Sequence, residues 1–304
     1  MSEKYIISNL IPDKEDKRDF IFSSSILELP KKFNYLDYVG EIENQLNTAS
    51  CVANATSSSL ELLSLRNGVQ ADYSRMFLYY NLRDPYENLR GKDIGSYLRD
   101  GFKVVNKLGI PDEKFCDFIV QNVNVKPSDY AFEQALQNKV TSYERILTDE
   151  NCIQNVKSAI FKGYPIIIAL ILDKSFYNMS KTFETQNYVG TNNSDDIIGS
   201  HALNIVGYDD DLKCFYAENS WGEGWGYKGL FLLKYDVMLK DCHDIWCCTG
   251  FKDFKMDAKI KIKKPTLFQK VKNYIINFKE HTAEILFYLG FFSVIIISIS
   301  SFFA

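Results

Sequence analysis

An α+β fold in two halves is predicted by three features of the 304-residue chain. Helix-patterned segments come first and strand-patterned ones later, and no internal repeat joins them. An ordinary apolar content of 46% supplies material for one large core or two smaller ones.

Residues 1–32 read as an N-terminal extension. Pro12 to Phe20 is a charge-mixed run, and Leu29-Pro30 marks extended chain, because the residue before proline avoids helix. Such a segment can cross the molecule once, either as a removable piece or as a permanent strap. Phe33 to Gln45 leads, through the turn formers Asp37 and Asn44, to Gln45-Leu-Asn-Thr-Ala-Ser-Cys51. That stretch puts a cysteine immediately ahead of a helix predicted over Val52–Leu65. A thiol there sits at the positive end of the helix dipole, near unsatisfied N–H groups, which favours thiolate below the free value of about 8.5. A small buried hydrophobe fits the same pattern.

Asp72–Tyr80 is rich in aromatics and predicts a core helix. Asp93-Ile-Gly95 then precedes a helical spacing over Tyr97–Leu108, ending at Gly109. Val125–Thr148 is polar, with one helical patch at Asp129–Gln137. Asn151–Lys162 predicts a helix closed by Gly163, and Pro165–Leu172 a buried strand by length and branching. Phe176–Asn193 reads as a loop crossing a cleft rim. Ile205–Tyr208, Cys214–Asn219, Gly229–Lys234 and Ile245–Thr249 complete the set as short strands.

Two later motifs bear on Cys51. Gly199–Tyr208 carries His201 at the head of an apolar run, and Glu218–Phe231 carries Asn219 and Trp221 in a Trp/Gly frame. A cysteine nucleophile needs a base to take its proton, and the base needs a third group to fix its ring. Cys51, His201 and Asn219 are those types in that order.

On these residues the chain resembles the papain-like (cathepsin-type) cysteine peptidases, from about Phe33 to Phe254. The resemblance implies a papain-like two-lobed fold. A helical lobe would carry Cys51, an antiparallel β-barrel-like lobe would carry His201 and Asn219, and an extended peptide would lie between them. It also implies Gln45, six residues before Cys51, as an oxyanion donor alongside the Cys51 N–H. Gly95 matches a glycine beside which substrate backbone pairs, where a Cβ would block the approach. Trp221 would shield the His201–Asn219 hydrogen bond. The implied activity is hydrolysis of peptide or protein substrates through an acyl-enzyme, with no cofactor and no metal. The short interval from Cys51 to Gly95 lacks room for an occluding loop, so an endopeptidase is expected. A catalytically silent peptide-binding module on the same scaffold is the competing expectation. The chain departs from the family at Thr48, where a disulfide cysteine is usual, at Ala49-Ser50, at Val52, and at Ser200, often acidic in relatives.

Charge is unevenly spread. The net value is −4, but the part before Lys252 carries −9 and the remainder holds nine lysines against four acids. An acidic body with a basic tail points to a membrane surface; the tail lacks the interleaved aromatics of nucleic-acid binders. Seven cysteines without a CxxC pair, and only three histidines, argue against zinc. Met1–Ile6 is too short and polar for an export signal, which agrees with a reducing compartment.

The expected organisation is an extension (1–32), a peptidase domain (33–256), a basic juxtamembrane linker (257–284) and a transmembrane tail anchor (285–303). The last holds nineteen uncharged residues. At ~1.5 Å each they span roughly 28 Å, enough for one bilayer core. Lysines on its N-terminal flank put the catalytic body in the cytosol, the membrane being a virion's were the source a virus. Asn54-Ala-Thr56 is a glycosylation sequon where a glycan would crowd the cleft, in keeping with that side of the membrane, whereas Asn178-Met-Ser180 and Asn192-Asn-Ser194 are sequons that point the other way.

Overall fold

The computed structural model describes residues 7, 10–24, 28–179, 187–188, 190–191 and 194–256. The predicted linker (257–284) and anchor (285–303) lie outside the described residues. Among the described residues, no helix is long and apolar enough to cross a membrane.

The helical half is built on α1, Cys51–Arg66, one residue longer at each end than the pattern predicts. Nearly all its residues are buried. Its small side chains, Ala53, Ala55 and Ser57–Ser59, let neighbours approach from every side. One neighbour is α3, Leu98–Leu108, whose Gly101 is so close that a Cβ would sit 2.3 Å from Thr56 Oγ1. Between them in sequence lies α2, Arg75–Arg83, where Ser74 Oγ accepts the Phe77 N–H at 3.1 Å as an N-cap. Gly109 ends α3 at φ +82°, and a Cβ there would meet the Ala135 carbonyl oxygen at 1.8 Å. The patch at 129–137 forms α4, Asp129–Ala135.

The other half is one sheet packed on α5, Cys152–Lys162. Its strands are β1 Lys32–Asn34, β2 Val140–Arg145, β3 Ile166–Asp173, β4 Asn187–Tyr188, β5 Ile197–Asp209, β6 Cys214–Glu218, β7 Leu230–Lys234 and β8 Cys242–Phe251. Hydrogen-bonded order is β2-β8-β3-β5-β6-β7-β4, with β1 pairing β5 as well. Among the described strands every pairing is antiparallel except the two-residue β4 with β7, in keeping with the antiparallel lobe expected. β5 is far longer than the predicted Ile205–Tyr208. Its first half pairs with β3, placing His201 opposite Leu170, and its second half pairs with β6.

Several elements escape the sequence reading. β2 hides in the polar stretch 125–148 because it pairs only with β8 and keeps part of itself exposed. β1 has three residues, and α6, Tyr235–Asp241, only seven. A 3₁₀ turn at Lys174–Asn178 runs into the start of the predicted loop 176–193, and β4 lies inside it.

Two buried clusters hold these layers. One joins α5 to the sheet through Val156, Ile160, Ile168, Phe215 and Phe231. The other forms the seam between halves: Cys51, Val52, Phe102, Ile167, Ala169, Ala202 and Trp246. Each fully buried Ile or Phe contributes about 1.5–3 kcal/mol. The seam packs α1 against β5, and so brings the cysteine's helix to the histidine's strand.

Candidate active site

Cys51 is the first residue of α1, at the helix N-terminus as predicted, and it is fully buried. The turn before it is held by its own polar groups. Thr48 Oγ1 donates to the Gln45 carbonyl at 2.7 Å and lies 2.6 Å from Ser50 Oγ. Asn54 Nδ2 donates to the Ser50 carbonyl at 2.9 Å. Asp93 Oδ1 accepts the Ala49 N–H at 2.8 Å and also the Tyr79 hydroxyl, linking this turn to the Gly95 loop. Thr48, standing where relatives carry a disulfide cysteine, thus belongs to a hydrogen-bonded turn instead. None of the seven cysteines is in a disulfide. Asn54 is fully buried in α1, so its sequon is closed to glycosylation in the folded chain.

His201 lies on β5 and Asn219 directly follows β6. His201 Nε2 is 2.8 Å from Asn219 Oδ1, and the Ser220 N–H donates to the same oxygen at 2.8 Å. A backbone N–H can only donate, so that atom is an oxygen and the ring nitrogen facing it carries the proton. Nδ1 is then the bare lone pair of the neutral ring, and it makes no hydrogen bond. Burial pushes this imidazole down to about 4, with the Asn219 bond working in the opposite direction. Trp221 is nearly buried, its ring centre 5.3 Å from that of His201. The Tyr177 ring stacks on Trp221 with centres 5.6 Å apart, and Phe176 packs edge-on at 5.4 Å.

Gln45 is buried, and its amide plane is held at both ends. Nε2 donates to the Thr48 carbonyl at 2.9 Å, and Oε1 accepts from Ser220 Oγ at 2.8 Å. Cys51 and Ala202, the neighbour of His201, share the seam cluster. The structure therefore gathers Cys51, Gln45, His201, Asn219 and Trp221 where the halves meet. Gly95 stands one residue before Ser96, whose carbonyl accepts the Ile11 N–H at 3.1 Å.

Sequence reasoning missed Ser220, Asp93, Phe176 and Tyr177. Ser220 and Tyr177 each adjoin a residue or segment already singled out, but side-chain contact across the chain leaves no periodic signal. Another missed group is a chain of bonds on the sheet side: Ser200 Oγ lies 2.6 Å from His243 Nε2, and His243 Nδ1 2.9 Å from Asp244 Oδ2. Elsewhere among the described residues, Glu43, Glu61 and Asp72 converge within 4.8 Å. Arg75, salt-bridged to Glu43, already supplies positive charge there.

The chain matches the papain family cysteine protease over residues 29–245. It is 31% identical over 240 residues to a peptidase C1-like protein of Acanthamoeba polyphaga mimivirus, covering 73% of this chain and 71% of that protein. Among solved structures, xylellain, a cysteine protease from Xylella fastidiosa, is 27% identical with a TM-score of 0.72, covering 81% of this chain and 97% of that one. A digestive procathepsin L2 proteinase from Tenebrio molitor larval midgut shares the fold at 21% identity and a TM-score of 0.63, covering 80% and 77%. The chain belongs to the papain family of cysteine proteases, hydrolases of peptide bonds.

Proposed function

We propose that the chain is a membrane-tethered cysteine endopeptidase in which Cys51, His201, Asn219 and Gln45 perform the reaction. Cys51 Sγ attacks the substrate carbonyl carbon and its proton passes to His201 Nδ1. The carbonyl oxygen takes the negative charge, received by the Cys51 N–H and Gln45 Nε2. Collapse of that intermediate breaks the C–N bond, with the His201 proton going to the leaving amine. Water then attacks the thioester, again deprotonated by His201, and frees the acid and the thiol. Asn219 keeps the ring in the tautomer that leaves Nδ1 bare, and Trp221 keeps water from that bond.

The observation that carries this reading is the pair of donors converging on Asn219 Oδ1, which leaves the base nitrogen unprotonated. Cys51→Ala tests it. That variant removes one sulfur from a buried site, so it should fold normally and lose all hydrolysis of a peptide substrate. Turnover equal to the wild type would remove the nucleophile assignment.

The tether reading draws on sequence alone: nineteen uncharged residues at 285–303 behind a lysine-rich flank. It places residues 33–256 in the cytosol as the peptidase domain, after an extension of residues 1–32. Full-length protein should sediment with membranes and resist carbonate extraction, whereas deletion of 285–303 should release it. A full-length chain found wholly in the soluble fraction would end the tether reading.

A further inference from the structure

β2 stands at one end of the hydrogen-bonded order, and among the described strands β8 is its only partner. Strand backbone groups face alternate sides, so half of those on β2 turn away from β8. Ile146, just past the strand, faces inward, its N–H donating to the Ile245 carbonyl at 2.9 Å. Arg145 faces outward. Its N–H donates to the Phe20 carbonyl and its carbonyl accepts the Phe22 N–H, each at 2.8 Å, with Ile21 opposite it in a parallel bridge. That pairing goes no further. A turn closed by the Asp19 N–H on the Asp16 carbonyl, at 2.9 Å, leads the preceding chain off the sheet. Tyr143, two residues before Arg145, presents its N–H and carbonyl to the same outer side. Among the described residues neither group has a backbone partner there.

Between the departing chain and β2 lies a cavity of about 440 Å³, within the roughly 300–1,000 Å³ of ligand sites. It is lined by Arg18 and Phe20, by Asn106 of α3, by Tyr143 and Glu144 of β2, and by Trp246 of β8. An unpaired edge is a template for another strand. Tyr143 and Glu144 are successive strand residues, so their side chains lie on opposite faces, and an added segment would meet them with alternate side chains. Tyr143 offers aromatic surface to one set and Glu144 a carboxylate to the other. Phe20, 76% exposed, stands where the existing ladder ends.

The charges at this edge are paired except one. Arg18 Nε donates to Asp16 Oδ1 at 2.9 Å, and Asp19 is bridged to Arg99 at 3.0 Å. Arg145, the neighbour of Glu144, is committed to Asp244 at 2.6 Å. Glu144 has no cation within ion-pair distance among the described residues, on a body whose net charge before Lys252 is −9.

We propose that the outer edge of β2 and this cavity dock an extended polypeptide segment of alternating apolar and basic side chains, which adds to the sheet as a strand. Its backbone pairs with the Tyr143 N–H and carbonyl, carrying on the ladder that Phe20 and Phe22 begin. A lysine or arginine of the segment meets Glu144, and an apolar neighbour rests on Tyr143. The surface uses none of the groups of the proposed reaction.

The test uses full-length Cys51→Ala protein, which leaves the probe uncut, and a fluorescein-labelled peptide of alternating valine and lysine, followed by fluorescence anisotropy. Binding should saturate. Glu144→Lys should weaken it about tenfold, since like charges then face each other, and should leave Tm unchanged. Glu144→Gln should fall between, and carries the comparison if the lysine variant folds poorly. A peptide of alternating valine and glutamate should bind at least about tenfold more weakly than the lysine peptide. The valine/lysine peptide N-methylated at every amide keeps its side chains but cannot donate along an edge, and should not bind. No saturable binding, equal affinity for the glutamate peptide or in both Glu144 variants, or undiminished binding of the methylated peptide each overturns the proposal. Self-association of the protein that the valine/lysine peptide competes away would assign the edge to a second copy and overturn it likewise.

Discussion

Ser220 Oγ donates to Gln45 Oε1 at 2.8 Å, while the Gln45 N–H donates to the Ser220 carbonyl at 2.9 Å. Asn44 bridges Trp221, and the Gly222 N–H donates to the Glu43 carbonyl at 2.9 Å, extending the contact into a short ladder. The segment before Cys51 is thereby held in register with the segment after Asn219 by directional bonds, where apolar packing alone would permit sliding. Any error in this ladder moves Gln45, the proposed oxyanion donor, relative to His201, the proposed base.

Gln45→Ala removes the donor, and kcat should fall about 10²–10³-fold. Ser220→Ala releases only one end of the amide, so its loss should be smaller, about tenfold. Because Ser220 acts through Gln45, the double variant should be no slower than Gln45→Ala. Steady-state kinetics on the three proteins checks this; multiplicative losses would show that Ser220 acts by another route.

Asn219→Ala strands a buried imidazole N–H, and kcat/KM should fall about 10–100-fold, the equivalent of one lost buried partner at about 1–3 kcal/mol. Asn219→Asp is more diagnostic. A carboxylate on Nε2 favours the charged ring and raises its pKa from about 4. The acidic limb of kcat/KM should then move to higher pH. An unmoved limb would show that some other group sets it.

Gly229 closes the Trp/Gly frame at φ +80°, and a Cβ there would lie 2.4 Å from Ile42 Cγ2. Gly229→Ala therefore meets both left-handed strain and a collision, and should cost at least about 1–3 kcal/mol of stability. Chemical denaturation measures it. Since the Gly229 carbonyl accepts the Asn219 N–H at 2.9 Å, activity should fall as well.

Much of this was legible in the residues. The Ala/Ser-rich α1 behind a cysteine, the apolar run after His201 and the Trp/Gly frame each announce themselves within a dozen positions. Gly109 and Gly163 end helices because both lie at positive φ, a local preference that any sequence displays. What stayed hidden is set by pairing across long separations. β2 reads as polar because only β8 tells it which face to bury, and the length of β5 depends on having β3 and β6 beside it. The extension is the sharpest case. Asp13 looks like one charge in a mixed run, yet it is 9% exposed and bonded to Arg99, Trp246 and Asp244.

Glu218, one residue before Asn219, gives the site a pH-dependent cost opposite in sign to that of His201. Burial raises the Glu218 carboxyl from 4.5 to about 7, only partly countered by hydrogen bonds from Ser58 and Asn204. Between those values the folded chain keeps a proton that the unfolded chain has released. The Glu218 contribution is therefore complete below 4.5 and lost as pH rises through 7. His201 runs the other way: its folded value of about 4 lies below the ordinary 6.5, so the unfolded chain binds the extra proton. Its contribution is complete above 6.5 and lost as pH falls toward 4. Glu218→Gln, neutral at every pH, should be close to wild type in acid, where Glu218 is itself protonated, and become more stable than wild type as pH rises through 7. The swing is on the order of 3 kcal/mol, from the 1.36 kcal/mol that each pKa unit represents. Asp13, raised to about 6, titrates in the same direction and remains in both proteins, so it cancels in the difference. Glu43, raised to about 7 by burial and in smaller part by the Glu218 charge, shifts down in the variant and adds a smaller amount to the same swing. Urea unfolding across that range decides the matter. A wild-type minus Glu218→Gln difference that stays flat with pH would mean that the carboxylate is solvated when charged, and that the floor beneath Asn219 is wetter than its burial indicates.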